Sequence, residues 1–121
     1  MTKISFMLFM TYCLYAPLAY ADTKQEIDHL LDFVANTTCL YERNGTQHTG
    51  TEAKKHIMKK YNYYQDDIKT AEDFIAYSAT KSMLSGKKYK IHCANKAEET
   101  SHAWLMQELH HFRQAKQTAT P

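Results

Sequence analysis

Five polar side chains that could do chemistry lie in one short stretch of the chain, YERNGTQHTGTEAKKH. They are Arg43, Asn44, His48, Glu52 and His56. An arginine offers forked donors that can hold a carboxylate or a phosphate. A histidine can carry a proton near neutral pH, so His48 or His56 could act as a general base. We call these five residues the turn cluster and treat them as a candidate contact site for a ligand or partner.

The same residues also have a purely structural interpretation. Asn44 and Gly45 form a dipeptide typical of tight turns, because both residues tolerate positive φ. Thr49 and Glu52 match a capping box, which predicts a helix start after Thr49. In this interpretation the histidines only fix the loop by hydrogen bonds. In the functional one, the free N–H groups of the helix start would add to an anion site.

A metal site is a third interpretation of the turn cluster. His48, Glu52 and His56 follow one another at intervals of four residues and would share a face of one continuous helix. Gly50 and the capping box place His48 before the helix, however, and the spacing matches no known zinc signature. His110 and His111 would interact with the negative end of the last helix. We therefore predict no metal and no cofactor.

Other catalytic and binding patterns are weak. Ser82 and Ser85 do not lie in a Gly-x-Ser-x-Gly elbow, and three glycines in the chain are too few for a phosphate-binding loop. Lysines alternate with tyrosines in KKYNYYQ and KKYKIHC, which has some logic for stacking on bases. The formal net charge of only +2 gives little attraction to nucleic acid, and we predict no such partner.

The N-terminus has the pattern of a secretory signal peptide. Lys3 precedes a mostly apolar run from Ile4 to Leu14, which is too short to span a bilayer. Pro17 breaks the run, and Ala19-Tyr20-Ala21 matches a small-x-small cleavage site. A retained membrane anchor is the alternative.

We accordingly predict three parts. Residues 1–21 would be a cleaved leader, residues 22–116 a single small domain, and residues 117–121 a loose C-terminal tail. Loss of Lys3 would lower the net charge from +2 to +1.

Two cysteines would remain after cleavage, Cys39 and Cys93. Export would place them in an oxidising compartment, where an even pair usually closes. We predict a disulfide between them, which stabilises by about 4 kcal/mol in the chain-entropy model. Two free buried thiols are the alternative.

Four helices and a small sheet are the predicted elements. A strand is expected at Cys39–Arg43, and a second, half-buried one at Lys87–Cys93, where apolar and polar residues alternate. The apolar stripes and start signals, including a Thr23/Glu26 capping box, place the helices at about Lys24–Ala35, after Thr49, from Thr70 to about Ser85, and at about Ser101–Ala115. We predict an α+β fold with about four helices on a two- to three-stranded antiparallel sheet.

Three segments of the chain carry a family resemblance. RNGTQHTGTEAKKH, KTAEDFIAYSATKS and SGKKYKI follow one another with compatible spacing between about Tyr41 and Ile91. This succession resembles the family of small exported bacterial proteins called domain of unknown function 5329, or YfeK-like. The resemblance implies a bacterial, exported, periplasmic protein and supplies no reaction. Family members do not all carry the two cysteines, which favours a structural role for the bridge.

These observations favour an exported module that binds or assists a partner. We predict a periplasmic or secreted protein that uses the Arg-Asn-Gly turn and the helix start after it. Its partner would be an unknown protein or small molecule of the cell envelope, and the mature chain would have no stable membrane insertion. Two alternatives remain: a small hydrolase with His48 or His56 as general base, and a purely structural exported protein.

Overall fold

The computed structural model describes residues 22–119, and the predicted leader lies outside this range. Helices and short strands follow one another along the chain, with one 3-10 turn at Gln65–Asp67. Within the described range the elements are α1 (Thr23–Asn36), β1 (Leu40–Arg43), β2 (Thr46–His48), α2 (Gly50–Tyr63), α3 (Ala71–Ser78), β3 (Lys90–His92), β4 (Glu99–Thr100) and α4 (Ser101–Thr118).

Side-chain caps begin the helices, and two of the three predicted ones are confirmed. Thr49 forms a capping box at the start of α2, and Thr70 forms another at the start of α3. The Thr23/Glu26 box is wrong, because Asp22 caps α1 by accepting from the Gln25 N–H at 2.7 Å. The side chain of Glu26 therefore takes no part in capping α1, and it is buried.

Two helix ends differ from their predictions. α3 ends at Ser78, well before the predicted end near Ser85. The Thr80 hydroxyl donates to the carbonyl of Ile75 at 2.7 Å, and the chain then turns into an extended loop. α4 runs to Thr118, so its last turn includes two residues of the predicted tail.

The sheet has four antiparallel strands in the order β2-β1-β3-β4, which corrects the predicted two to three. β1 pairs with β3 in a register that places Tyr41 opposite Ile91. The two strands missed by the sequence prediction are short: β2 has three residues and β4 two. Neither has room for the apolar alternation that reveals a strand. The α+β class itself is confirmed.

The core lies between the helices and one face of this sheet. Tyr41, Tyr89 and Ile91 are buried on that face, where α2 contacts β1 and α4 contacts β3. α1 packs against α2, α3 and α4. The opposite face of the sheet is partly open, with Leu40 at 40% exposure. The Tyr41 hydroxyl forms a hydrogen bond with the Ser101 hydroxyl at the start of α4. This bond joins the sheet to the last helix.

The predicted disulfide is confirmed. Cys39 and Cys93 are bonded, with their Cα atoms 4.4 Å apart. Cys39 precedes β1 and Cys93 follows β3, so the bridge closes one end of the central strand pair. No helix between residues 22 and 119 is both long and apolar enough to cross a membrane.

Candidate functional site

The hairpin of β1 and β2 positions the first half of the turn cluster. Asn44 and Gly45 have φ of 51° and 79°, and two successive positive values give the turn that matches the twist of antiparallel strands. Arg43 therefore ends β1 with its side chain on the helix-covered face, the same face as Tyr41. His48 stands opposite Tyr41 in β2 and shares that face.

Helix α2 brings His56 and Lys60 to the sheet. These residues are one turn apart and reach the same atom, the hydroxyl oxygen of Tyr89. The His56 Nε2 lies 3.1 Å from it, and the Lys60 Nζ donates to it at 3.3 Å. Lys60 already donates a hydrogen bond to the hydroxyl oxygen of Tyr89. The hydroxyl proton of Tyr89 can therefore be donated to the imidazole nitrogen of His56.

Lys60 also ties the site to the loop after α3. Its Nζ donates to the carbonyl oxygen of Lys81 at 2.6 Å and stands 5.0 Å from the centre of the Tyr89 ring. One ammonium group thus bridges the sheet and the loop. Its position is fixed by three separate contacts.

An open cleft of about 370 Å³ lies in front of these groups. Arg43, His56 and Lys60 form its basic wall, and Met83 and Leu84 form an apolar wall. Asn44, Ser82 and Tyr89 complete it, and no Asp or Glu is among the described residues that line it. We call this space the basic cleft.

Burial and the positive charges around the cleft both shift the pKa values of its groups. Burial, with the positive charges of Arg43 and Lys60 next in effect, lowers the pKa of His56 to about 4. Burial, then Arg43 and Lys81, lowers the pKa of Lys60. Burial raises the pKa of Tyr89 against the opposing effect of Arg43. At neutral pH, His56 is therefore neutral.

Asn44 has a holding role at the edge of the cleft. Its amide nitrogen donates to the Ser82 hydroxyl at 3.3 Å, and its amide oxygen accepts from the Ser85 hydroxyl at 2.6 Å. The side chain fastens the hairpin to the loop after α3. Together with the Lys60 ammonium, this amide sets the two walls of the cleft relative to each other.

His48 and Glu52 lie to the side of the basic cleft. His48 Nδ1 is 3.2 Å from the carboxylate of the exposed Glu52, and Glu52 closes the capping box with Thr49. His48 shares a small cavity with Arg43 and His56 behind the basic wall. Of the turn cluster, Arg43, Asn44 and His56 thus converge on the cleft, and Glu52 does not.

Several cleft residues were not singled out in the sequence. Lys60 stands one helical turn after His56, a spacing that could have revealed it. Tyr89 was assigned to the core face of its strand, and its ring is indeed buried while its hydroxyl reaches the cleft. Met83 and Leu84 were expected inside α3, and their position follows from the early end of that helix.

A second cavity of about 240 Å³ lies near the disulfide, between β3 and α4. Its lining mixes Lys96, Glu99, Glu108 and His111 with the rings of Phe33 and Trp104. Its lining includes both basic and acidic residues, in contrast to the one-sided basic cleft. Within residues 22–119, no three His, Cys, Asp or Glu side chains are grouped so that they could hold a metal ion.

Comparison with known proteins gives one match. A family model described as a family of unknown function, DUF5329, matches residues 21–113. No curated protein and no solved structure matches the chain.

Proposed function

The chain belongs to the family of unknown function DUF5329, and from that premise, which assigns no activity, we propose that it is a binding module for a small anionic ligand. The ligand's carboxylate or phosphate would enter the basic cleft beside Arg43. The matched range contains all the described residues that line the basic cleft.

One observation carries the proposal: the guanidinium of Arg43 is unpaired in a cleft without carboxylates. Within residues 22–119 it has no hydrogen-bond or ion-pair partner, and the described lining of the cleft contains no Asp or Glu. Half-buried cations usually have a counter-charge, because burial of an unpaired charge is costly. An anion at this point would supply it through the fork of the guanidinium.

The neighbouring groups support an anion rather than a metal or a cation. Lys60 carries a positive charge, and the Asn44 amide and Ser82 hydroxyl stand at the rim. A bound anion would also favour the charged forms of Lys60 and His56, whose pKa values are lowered in the free protein. Binding would therefore relieve an unfavourable arrangement of like charges.

The apolar wall narrows the class of ligand. Met83 and Leu84 face the same space as the basic groups, and such a wall contributes by burying carbon. A ligand that fits both walls is an amphiphilic anion, with a charged head and a short apolar body. The volume of about 370 Å³ is in the range of small-molecule sites.

The hydrolase alternative has less support from the geometry. A base works best when its pKa lies near the working pH, whereas that of His56 falls to about 4. His48 lies against Glu52 to the side of the cleft. The positions of these side chains agree better with a role in which the histidines contact a bound ligand and Arg43 anchors it.

We further propose that the domain works outside the cytosol, in the periplasm or in secreted form. The closed disulfide supports this site of action, because such bonds persist in oxidising compartments. The leader pattern of residues 1–21 points the same way. Intact-mass analysis of material recovered from the cell envelope tests it: an uncut N-terminus on all of the protein would contradict export by cleavage.

Calorimetric titration with hexyl phosphate, inorganic phosphate and hexanol tests the binding role. We expect hexyl phosphate to bind more tightly than inorganic phosphate, and hexanol not to bind. Arg43→Gln should weaken hexyl phosphate binding about tenfold or more, the loss typical of a charge-assisted hydrogen bond. Lys69→Gln, which removes an exposed charge that does not line the cleft, is the matched control. Equal binding by both variants would refute Arg43 as the anchor.

A further inference from the structure

The loop between α3 and β3 has an unusual combination of order and exposure. Its ends are joined by the Tyr89 N–H, which donates to the Thr80 carbonyl at 2.9 Å, and by the Ser82 N–H, which donates to the Lys87 carbonyl at 2.9 Å. The Asn44 side chain fastens it to the hairpin of β1 and β2. We call residues 80–88 the lysine loop. These bonds hold its tip in one defined position.

The tip of the lysine loop presents two apolar side chains to solvent. Leu84 is 99% exposed and Met83 is 63% exposed. Single exposed apolar residues are ordinary on protein surfaces. Here two adjacent ones stand at the apex of a loop that is held by hydrogen bonds, which gives them no route into the core. Their exposed surfaces are therefore available to an apolar phase outside the protein.

Basic residues surround this tip. Lys81, Lys87 and Lys88 are exposed, and the backbones of Lys81 and Lys88 pair in an isolated antiparallel β-bridge across the loop. Among the described residues none of the three has an ion-pair partner. The loop therefore combines an apolar apex with three uncompensated positive charges on its flanks. This arrangement is complementary to a surface that is negative outside and apolar just beneath.

A patch of tyrosines continues the apolar surface beside the tip. The Tyr64 hydroxyl contacts the Met83 sulfur, and its ring packs against those of Tyr63 and Tyr77. Tyr63 is 77% exposed. Tyrosines favour the boundary between water and hydrocarbon, because the ring is apolar and the hydroxyl is polar.

We propose that the lysine loop docks the protein reversibly on an anionic lipid surface. Leu84 and Met83 would enter the boundary between headgroups and acyl chains, and the lysines would lie against the lipid phosphates. Each lysine near an anionic surface strengthens such binding, and so does each apolar side chain that enters it. The contact is peripheral and involves no spanning segment.

The charge pattern favours lipid over a protein as the occupant. An anionic lipid surface has negative headgroups above an apolar layer. The exposed Leu84 and Met83 and the flanking lysine charges of one sign complement both layers at once. Docking on lipid does not require a ligand in the basic cleft. Either proposal can therefore be refuted without refuting the other.

Vesicle flotation tests the docking, with vesicles of phosphatidylglycerol and phosphatidylcholine in equal amounts against vesicles of phosphatidylcholine alone. We expect salt-sensitive binding to the mixed vesicles only. Leu84→Ser should weaken it about tenfold, and the double variant Lys87→Gln/Lys88→Gln about 30-fold. All variants share the same N-terminus, so any lipid affinity outside residues 22–119 is common to them.

Two control variants sharpen the result. Leu40→Ser removes an apolar side chain of 40% exposure from the open face of the sheet and should leave vesicle binding unchanged. Arg43→Gln should also leave it unchanged while it weakens hexyl phosphate binding. Binding by the loop variants equal to that of the unaltered protein would overturn the proposal. So would the absence of any binding to mixed vesicles, which would leave a protein as the occupant of the tip.

Discussion

Removal of the Arg113 charge should destabilise the fold more than any other change of a surface charge. Arg113 lies on α4 and binds Glu26 of α1 through two bonds, at 2.7 Å and 3.0 Å. It also binds Glu72 of α3 at 2.6 Å. Three helices are thus joined by one guanidinium, and the surrounding carboxylates raise its pKa further. The same contact lowers the pKa of Glu72.

The expected magnitude follows from the burial of Glu26. Only 6% of this residue is exposed, so Arg113→Met would leave a carboxylate buried without its partner. Removal of one partner from a buried ion pair costs about 3–5 kcal/mol of folding free energy. We expect about 3 kcal/mol here, because one third of the Arg113 side chain is exposed and water can reach Glu26 in the variant. This is a large share of the about 5–15 kcal/mol that stabilises a domain of this kind.

Urea unfolding followed by circular dichroism measures this loss. The transition midpoint should fall by about 2 M for Arg113→Met. The double variant Glu26→Leu/Arg113→Met should recover most of the stability, because an apolar pair of similar size replaces a buried ion pair at little cost. Lys24→Met breaks the exposed pair with Asp28 and should leave the transition midpoint nearly unchanged. A loss below about 1 kcal/mol, or a double variant no better than the single one, would refute the reasoning.

Three further changes have defined outcomes. Reduction of the Cys39–Cys93 bond, which closes a loop with a sequence separation of 54, should lower the free energy of unfolding by about 4 kcal/mol in denaturant titrations, and an unchanged midpoint would contradict this. Gly50→Ala should cost about 1–3 kcal/mol in the same assay, since its Cβ would lie 2.2 Å from the Val34 carbonyl oxygen. His56, whose folded pKa of about 4 lies below its usual 6.5, should make the protein lose stability as pH falls from about 6.5 to about 4. After allowance for solvent screening the loss is about 1–2 kcal/mol, and His56→Gln should remove this part of the pH slope.

Local signals in the sequence were sufficient for most of the fold. Thr49 and Thr70 mark helix starts through bonds to residues three positions later, and such short-range chemistry is readable without a structure. The apolar stripes of α1 and α4 likewise predict their buried faces, and Trp104 is buried as expected. The disulfide followed from the predicted compartment and the number of cysteines alone.

Long-range pairing explains what the sequence did not reveal. Glu26 looked like a capping residue because it stands three positions after Thr23, yet its partner is 87 residues away. The loop that follows the end of α3 at Ser78 is held by Asn44 from a different part of the chain. Lys60 and Tyr89 meet only after α2 folds onto the sheet. None of these contacts produces a periodic pattern in the amino-acid sequence.

The register of β1 and β3 links the disulfide to the basic cleft. The paired residues run from Leu40 opposite His92 to Glu42 opposite Lys90. Continued by one position at each end, the same register sets Cys39 against Cys93 and Arg43 against Tyr89. A slip by one residue would turn Arg43 to the open face of the sheet and dismantle the basic wall. The disulfide, at the opposite end of the strand pair from Arg43, prevents that slip. A cross-link whose cysteines do not line the basic cleft thus fixes the position of the guanidinium on which the proposed binding depends.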